Sequence, residues 1–372
     1  MEFADKASCD FIYETKDPIY DEKIRQFQGC PSIAVTRGGR VWLAWYSGGV
    51  REPHMDNYCI ITYSDDGGKT FRTPHIVIPS SKEKLVHALD PQLWLSPDGK
   101  LFLFWVQENV VPTTPENLAR TDFPPIKDFT GFARIDGYMF TDFLHSQWMA
   151  VCDDPDVEKP VFSAPRYIGV GFMRCKPTVL SDGRWLLFAY DQMHDRYGYM
   201  ISRDGGETFS HRYGGKKVET RFDETMAYER KDGGVRMFAR TSVGVLAESV
   251  SLDGGETWSD GRETDIPNPN TRFYVARTPS GRILLINNDH SSSRTNMTVY
   301  LSEDDGASWK YKKCIDTRSD ISYPDVDFHD GKIYLTYDRE RIVAKEILLS
   351  VFTEEDIMRE DFSPEICIVS KP

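Results

Sequence analysis

Four residues in the second half of the chain are of the types needed for nucleophilic chemistry on a negatively charged substrate. Tyr323 stands in ISYPDVDFHDG, Glu224 in FDETMAYERKDGG, Arg240 in VRMFARTS and Arg294 in SSSRTNMTVY. A phenol with a pKa of about 10 is a poor nucleophile until a base removes its proton, and a glutamate could be that base. A tyrosine suits an anionic substrate because a carboxylate nucleophile would be repelled, and arginines could bind the anion. Alternatively, these side chains simply line a water-filled channel.

An eight-residue motif that occurs four times indicates which elements hold these residues. The copies are SDDGGKTF, SRDGGETF, SLDGGETW and SEDDGASW, which begin at Ser64, Ser202, Ser251 and Ser302. The last three begin 49 and 51 residues apart, a period typical of stacked or radially arranged units. The aspartate can hydrogen-bond its own backbone and the glycine can adopt a positive φ, so each copy predicts a hairpin turn with no chemistry of its own.

A second repeat counts the units. Glycine-containing turns precede apolar, strand-like runs such as RVWLAWY, with glycines at 39, 99, 183, 233, 281 and 331. A blade of four short strands takes about 40–50 residues, so six turns predict an all-β fold, a six-bladed β-propeller in which residues 1–372 form one domain. The Pro-rich residues 108–135 are interpreted as a loop insertion. We expect a terminal strand, from CDFIY at Cys9 or ICIV at Ile366, to close the ring by pairing with its other end.

The turn motif is the Asp-box, and the chain resembles the sialidase (neuraminidase-like) superfamily, most closely from about residue 220 onward. Sialidases bind a substrate carboxylate with three arginines, use a tyrosine nucleophile assisted by a glutamate, and use an aspartate as acid/base. By order along the chain, the resemblance implies Tyr323 as nucleophile, Glu224 as its base, and Arg240 and Arg294 as the second and third arginines. It therefore implies an exo-acting, retaining glycoside hydrolase that releases a terminal, acidic sugar.

The N-terminal half departs from the sialidase pattern. Sialidases begin with an F/Y-R-I-P element that supplies the first arginine, whereas this chain reads QGCP and has Gly29 at the arginine position. Losing one charge-assisted contact weakens carboxylate binding by about 1.5–3 kcal/mol, so the sequence predicts poor hydrolysis of ordinary sialosides. Arg25 and Arg51 are the candidates to replace the missing group.

In sialidases the acid/base aspartate lies shortly before the first Asp-box. The resemblance therefore implies Asp56 in VREPHMDNYCIITYSDDGG as the first candidate for the acid/base and Glu52 as the second. His54 and Asp90 are predicted to contact the substrate because both follow early blades that would face the same pocket, although either could instead be a turn or network residue. No cluster has metal-ligand spacing, so neither a metal nor a cofactor is expected.

The composition of the chain limits the classes of molecule that the protein is expected to bind. The formal net charge of −13 argues against nucleic acid, because phosphate binding needs a basic face, and leaves a small glycoside or oligosaccharide as the expected partner. There is no apolar run of about 18 residues, so no membrane span is expected. The seven cysteines show no CxxC pairing and the N-terminus lacks the apolar core of a signal peptide, so a cytoplasmic location is expected, although a removed signal would leave the same sequence.

Two other function classes remain open at this stage. A propeller polysaccharide lyase would need a Tyr/His pair beside an arginine and would release an unsaturated product. A non-catalytic carbohydrate-binding propeller, which the missing arginine favours, would bind sugars and hydrolyse none. The sequence leaves the sugar, its linkage and the oligomeric state undecided.

Overall fold

The computed structural model describes residues 10–372 except 73, 120–133, 191 and 193, and this part of the chain is almost entirely β-structure. Its strands form six antiparallel sheets, and each sheet is built from strands that lie near one another in the sequence. The predicted all-β, six-bladed β-propeller is confirmed.

The first three blades contain β1 to β15. The first blade consists of β1 (Ile12–Tyr13), β2 (Phe27–Val35), β3 (Val41–Gly48), β4 (Tyr58–Ser64) and β5 (Ile76–Pro79). The second consists of β6 (Val86–Leu95), β7 (Leu101–Pro112), β8 (Arg134–Ile135), β9 (Tyr138–Cys152) and β10 (Arg166–Val170). The third consists of β11 (Phe172–Met173), β12 (Thr178–Val179), β13 (Trp185–Tyr190), β14 (Arg196–Ser202) and β15 (Ser210–Lys216).

The last three blades have four strands each. The fourth consists of β16 (Thr225–Glu229), β17 (Val235–Ala239), β18 (Val245–Ser251) and β19 (Arg262–Pro267). The fifth consists of β20 (Tyr274–Arg277), β21 (Ile283–Asn288), β22 (Met297–Ser302) and β23 (Tyr311–Asp316). The sixth consists of β24 (Ile321–His329), β25 (Lys332–Arg339), β26 (Glu346–Thr353) and β27 (Cys367–Ser370). The helical segments are short: Pro18–Tyr20 and Glu22–Ile24 are 3-10 turns, and α1 (Pro115–Leu118) and α2 (Glu354–Met358) are α-helical.

The two turn repeats occupy different places in the blades. The glycine turns join neighbouring inner strands of a blade, as at Gly39 between β2 and β3, while each of the four Asp-boxes joins the last two strands of its blade, as between β4 and β5. In the second Asp-box, Asp204 accepts hydrogen bonds from the backbone N–H of Thr208 at 2.9 Å and from its hydroxyl at 2.5 Å. These bonds lower the pKa of Asp204 to about 2. The Asp-boxes are therefore structural turns on the outer strands, as expected.

The core lies between blades, where apolar faces of neighbouring sheets pack together. Trp42 of the first blade and Trp105 of the second share one buried cluster, and both are fully buried. A further cluster joins Ile33 and Val35 of β2 to Tyr334 of β25, so the first blade packs directly on the sixth. The ring is thus held by side-chain packing between sheets, a large apolar burial that favours folding.

The prediction that a terminal strand closes the ring by pairing with the other end of the ring is wrong. The N-terminal β1 pairs with β5 of its own blade, and the C-terminal β27 pairs with β26 of its own blade. Carboxylates of the sixth blade instead reach across to β2: Asp325 accepts from the Ser32 hydroxyl at 2.7 Å and the Ile33 N–H at 2.9 Å, and Asp338 accepts from the Cys30 N–H at 2.8 Å. Because these carboxylates satisfy backbone groups of β2, the junction needs no added strand.

The loop predicted at residues 108–135 begins as regular strand. β7 continues through Val110 and Val111 to Pro112 and pairs with β9, with Val110 opposite Phe140. β-branched valines favour this extended pairing, which the Pro-rich composition of the segment obscured. The helix α1 follows, and residues 120–133 lie outside the described part of the chain.

Candidate active site

Three inner strands contain the same local feature, a β-bulge in which a residue with positive φ precedes a proline. The residues are Cys30 on β2, Asp90 on β6 and Tyr323 on β24, with φ of 55°, 52° and 56°. The register of each strand shifts at this point. A bulge re-aims the side chain it contains, and left-handed backbone at a non-glycine residue is a strained feature that clusters at functional sites.

Tyr323 and Glu224 form the centre of the site. The Tyr323 hydroxyl donates a hydrogen bond to Glu224 Oε1 at 2.6 Å. Glu224 lies directly before β16, and Arg240 lies directly after β17, so both come from the same end of the fourth blade. Arg240 Nη1 donates to Glu224 Oε2 at 2.8 Å and to the Tyr323 oxygen at 3.1 Å. The structure therefore brings together three of the four residues from which the sequence analysis began.

The electrostatics of this trio favour a neutral phenol beside an ionised carboxylate. Burial, reinforced by the negative charge of Glu224, raises the pKa of Tyr323. Burial opposes ionisation of Glu224 as well, but the guanidinium groups of Arg240 and Arg174 outweigh it and lower the pKa of Glu224 to about 2. Glu224 is thus a proton acceptor placed on the phenolic hydrogen.

Arginines surround the ring of Tyr323. The guanidinium carbon of Arg341 lies 4.3 Å from the ring centroid, that of Arg294 lies 5.7 Å from it and that of Arg174 lies 5.9 Å from it. Arg174 sits in the break between β11 and β12, where Pro177 interrupts the inner strand, and forms an ion pair with Asp90. Within the described residues, Arg294 donates to Ser322 Oγ and to the Asn270 carbonyl oxygen, each at 3.3 Å.

These side chains line one central cavity of about 290 Å³. Its wall includes the four residues of the sequence prediction, Glu224, Arg240, Arg294 and Tyr323. The other described lining residues are Glu52, Pro53, Leu89, Glu108, Phe140, Phe172, Arg174, Arg221, Phe222 and Arg341. The wall therefore combines arginines and glutamates with aromatic and aliphatic side chains.

Asp56, the first candidate for the acid/base, is not part of this wall. Its side chain is 58% exposed and forms an ion pair with Lys82 at 2.7 Å, in a separate surface groove. The chain turns between His54 and Asn57, where the Asn57 N–H donates to the His54 carbonyl at 3.0 Å, and this turn carries Asp56 outward. Glu52, the second candidate, precedes the turn and does line the central cavity.

The other predicted contact residues also lie away from the cavity. His54 Nε2 lies 2.6 Å from Asp136 Oδ2, so this histidine joins its loop to the hairpin of β8 and β9. Arg51 is not a lining residue, and its carbonyl accepts from the Asn57 amide at 2.9 Å. Arg25 donates to the Tyr20 carbonyl at 3.1 Å and lines the outer groove. Neither arginine occupies the place left by the missing one.

Asp90 lies behind the cavity wall rather than on it. Its side chain is fully buried, and it pairs with Arg174. Burial raises the pKa of Asp90, the charge of Arg174 opposes that change, and Glu52 adds to it. Asp90 therefore holds Arg174 in position beneath the cavity.

Sequence reasoning missed Arg174, Arg341 and Glu108. Arg174 stands in RCKPTVL, where the proline already signals a break in an inner strand, so a polar residue before it could have been suspected. Arg341 stands in TYDRERI among several charged turn residues, and nothing in that string shows which one points inward. Glu108 accepts hydrogen bonds from His87 Nδ1 at 3.0 Å and lies 3.3 Å from His145 Nε2. Burial raises the pKa of Glu108, but the contacts with the two histidines outweigh that effect and lower the pKa to about 2.

In the described part of the chain, one group of side chains has metal-ligand spacing. Cys30, Glu52 and Asp90 place potential ligand atoms within 4.8 Å of one another. Arg174 pairs with Asp90 and Arg341 pairs with Glu52, so guanidinium groups already balance both carboxylates.

Comparisons with known proteins extend the resemblance. A model of the BNR repeat-like domain matches residues 153–335. Anhydrosialidase of Macrobdella decora is 26% identical over 203 residues, which cover 49% of this chain and 26% of that protein. The intramolecular trans-sialidase of Ruminococcus gnavus has a structure that superposes with a TM-score of 0.68 at 18% identity, covering 95% of this chain and 99% of that one. The chain is thus similar in sequence to sialidases over part of its length and similar to them in fold over almost all of it.

The likeness to individual members is distant. Sialidase of Micromonospora viridifaciens is 31% identical over 152 residues, which cover 37% of this sialidase-like chain and 23% of that protein. The matches thus span about a quarter of the length of the two curated relatives. The solved structures show the fold, and the two curated relatives are an anhydrosialidase and a sialidase. Among the residues described, no helix is long and apolar enough to cross a membrane.

Proposed function

We propose that this sialidase-like propeller is an exo-acting, retaining glycoside hydrolase that releases a terminal sugar carrying a carboxylate. Tyr323 is the nucleophile, Glu224 is its base, and Glu52 is the acid/base. Arg240 and Arg294 bind the carboxylate of the sugar. The observation that carries the proposal is the state of Arg294.

Arg294 is a half-buried cation. In the part of the chain that the structure describes, no carboxylate oxygen lies within 4 Å of its guanidinium nitrogens, and its hydrogen bonds go to neutral oxygens. Burial and repulsion from Arg341 lower the pKa of Arg294. Partial desolvation of a charge without a counter-charge costs free energy, so a bound anion would reduce a cost that the empty site carries. A substrate carboxylate supplies that anion.

The contact between Tyr323 and Glu224 supports the nucleophilic step. Glu224 takes the phenolic proton as the Tyr323 oxygen bonds to the anomeric carbon, and Glu52 donates a proton to the leaving oxygen as the bond from that carbon to it breaks. The neutral phenol approaches without the repulsion that a carboxylate nucleophile would meet beside the sugar carboxylate. In the second step, Glu52 takes a proton from water as the water oxygen attacks the anomeric carbon, the bond from that carbon to the Tyr323 oxygen breaks, and Glu224 returns its proton to the phenolate.

Glu52 is proposed as the acid/base because the other carboxyl groups of the wall are unsuited to that role. Three carboxyl residues line the cavity in the described part of the chain: Glu52, Glu108 and Glu224. Glu224 serves the nucleophile, and Glu108 has a pKa of about 2, so it is a poor proton donor near neutral pH. Glu52, with a side chain 24% exposed, can reach both the leaving oxygen and solvent.

A panel of aryl glycosides tests this function. The panel contains an aryl sialoside, aryl uronides and aryl glycosides of neutral sugars, and released phenol is measured with wild type and Tyr323→Phe. Proton NMR of the first-formed sugar reports its anomeric configuration. We expect turnover of at least one carboxylate-bearing glycoside with retention, and its loss in Tyr323→Phe.

The opposite results would reject the proposal. Turnover confined to neutral sugars would reject the carboxylate site, and inversion would reject the covalent tyrosine. Binding without any turnover, unaffected by Tyr323→Phe, would favour a carbohydrate-binding propeller. The structure of the R. gnavus relative was determined with oseltamivir carboxylate, which supports a carboxylate as the group to test first.

A further inference from the structure

Arg341 occupies space that a side chain at residue 29 would need. A Cβ atom built on Gly29 would lie 2.8 Å from Cδ and Nε of Arg341 and 2.9 Å from its Cγ. Carbon atoms cannot approach this closely without displacement of one group. Gly29 on β2 is therefore the opening through which the side chain of Arg341, from the turn between β25 and β26, reaches the centre of the ring.

Two carboxylates fix the direction of Arg341. Its Nε lies 2.9 Å from Asp338 Oδ2, and its Nη1 lies 3.2 Å from Glu52 Oε2. These bonds hold the guanidinium against the Tyr323 ring and in the wall of the cavity. Since two of its nitrogens are engaged, the planar group has little freedom to rotate.

The third nitrogen of the group is left over. Arg341 Nη2 is buried and has no hydrogen-bond partner within the described part of the chain. A buried donor without an acceptor destabilises the empty site. A ligand oxygen that accepts a hydrogen bond from it removes this cost, and the free energy of ligand binding becomes more favourable. The unpaired Arg294 also lines this cavity.

We propose that Arg341 is a specificity-determining residue whose guanidinium binds the carboxylate of the substrate together with Arg294, and that Gly29 is required for it to do so. The inference rests on the proposed function, since it concerns the same cavity. It assigns to Arg341 the carboxylate contact that Gly29 cannot make, for which Arg25 and Arg51 were the candidates in the sequence analysis. The preferred ligands are sugars with a free carboxylate, and esters of the same sugars bind more weakly.

Binding rather than turnover tests the proposal. The dissociation constants of N-acetylneuraminic acid, glucuronic acid and galacturonic acid, and of their methyl esters, are measured by calorimetry. We expect wild type to prefer at least one acid over its ester, and Arg341→Ala to lose about 10- to 100-fold in affinity for that acid with little change for the ester. Arg339→Ala is the matched control, because Arg339 pairs with Glu346 and is not a lining residue.

Gly29→Ala provides a second test that removes no charge. The added methyl group must displace Arg341, so the preference for acid over ester is expected to fall towards that of Arg341→Ala. The double variant Gly29→Arg/Arg341→Gly returns a guanidinium from the other side and is expected to recover part of the preference. Thermal midpoints of all variants separate these effects from loss of folding, and Arg341→Lys replaces Arg341→Ala if the latter does not fold.

The outcomes are distinct from those that test the hydrolase. Wild type without preference for any acid, or Arg341→Ala with wild-type preference, overturns the proposal. Wild type that binds an acid through Arg341 but hydrolyses no glycoside supports the proposal and rejects the proposed hydrolase.

Discussion

The hydroxyl of Tyr323 lies 2.6 Å from a carboxylate oxygen of Glu224, although 99 residues separate them in the chain. The tyrosine comes from a strained bulge in the sixth blade, and the glutamate comes from the start of the fourth. Arg240 Nη1 donates to the Tyr323 oxygen and to the other carboxylate oxygen of Glu224, Oε2. The pair consists of a protonated phenol and an ionised carboxylate that can accept its proton.

Substitution of Tyr323 by phenylalanine is expected to remove the nucleophile and leave the fold in place. The ring keeps its packing against the arginines, and only the hydroxyl is lost. We expect kcat for an aryl glycoside to fall by about 1,000-fold or more. Steady-state kinetics measure this, with circular dichroism as a check of folding. Tyr213→Phe, on the exposed β15, is the control, and an equal loss in that variant would contradict a specific role for Tyr323.

Glu224 makes a prediction about stability and pH. Its pKa is lowered to about 2 from an ordinary value of 4.5, so its ionised form stabilises the folded state. That contribution is fully present above pH 4.5 and is lost as the pH falls through 2. The stability lost in Glu224→Gln, measured by urea unfolding, is therefore expected to be larger at pH 6 than at pH 3.

The control for Glu224 is Glu263→Gln on the exposed part of β19. An equal loss of stability in Glu224→Gln at both pH values would mean that the carboxylate charge does not stabilise the fold. The same low pKa means that Glu224 stays ionised throughout the neutral range. An acidic limb of kcat above pH about 4 must then come from another group.

Glu52→Gln and Asp56→Asn separate the two acid/base candidates. Glu52 lines the cavity, whereas Asp56 is exposed and paired with Lys82. We expect Glu52→Gln to lower kcat by about 100-fold or more for glycosides with poor leaving groups, and much less for activated aryl glycosides, which need no proton. Asp56→Asn is expected to stay within about twofold of wild type. The reverse pattern would return the acid/base role to Asp56.

The Asp-boxes are expected to affect stability and not activity. Asp253 accepts from the Thr257 backbone at 2.9 Å and from its hydroxyl at 2.5 Å, and it also bonds Ser251 at 2.7 Å. Asp253→Ala removes these bonds, and we expect a loss of about 1–3 kcal/mol in the free energy of unfolding with kcat/KM unchanged. Urea unfolding and aryl glycoside kinetics measure the two quantities. A variant with native stability and impaired turnover would show that the turn has a catalytic role.

The blade count and the second-half site residues could be predicted because their signals are local. A turn needs particular residues at fixed offsets, so four Asp-boxes and six glycine turns are readable without contacts. Glu224, Arg240 and Tyr323 flank inner strands whose ends meet near the axis, and the order of the landmarks was enough to group them. The expectation that ordinary sialosides are hydrolysed poorly stays a prediction. It is based on the loss of one arginine contact at residue 29, and it depends on whether another arginine makes that contact.

The sequence by itself determined the inner strands, their turns, the number of blades and the grouping of Tyr323 with Glu224 and Arg240. Only the tertiary structure decided which side chains from distant strands share the cavity. Asp56 and Glu52 are four residues apart, yet one turn sends them to different surfaces. Gly29 and Arg341 are more than 300 residues apart in the chain, and the absence of a side chain at one makes room for the other. The fit between these two residues depends on packing between the first and sixth blades, so it cannot be predicted from a local sequence pattern.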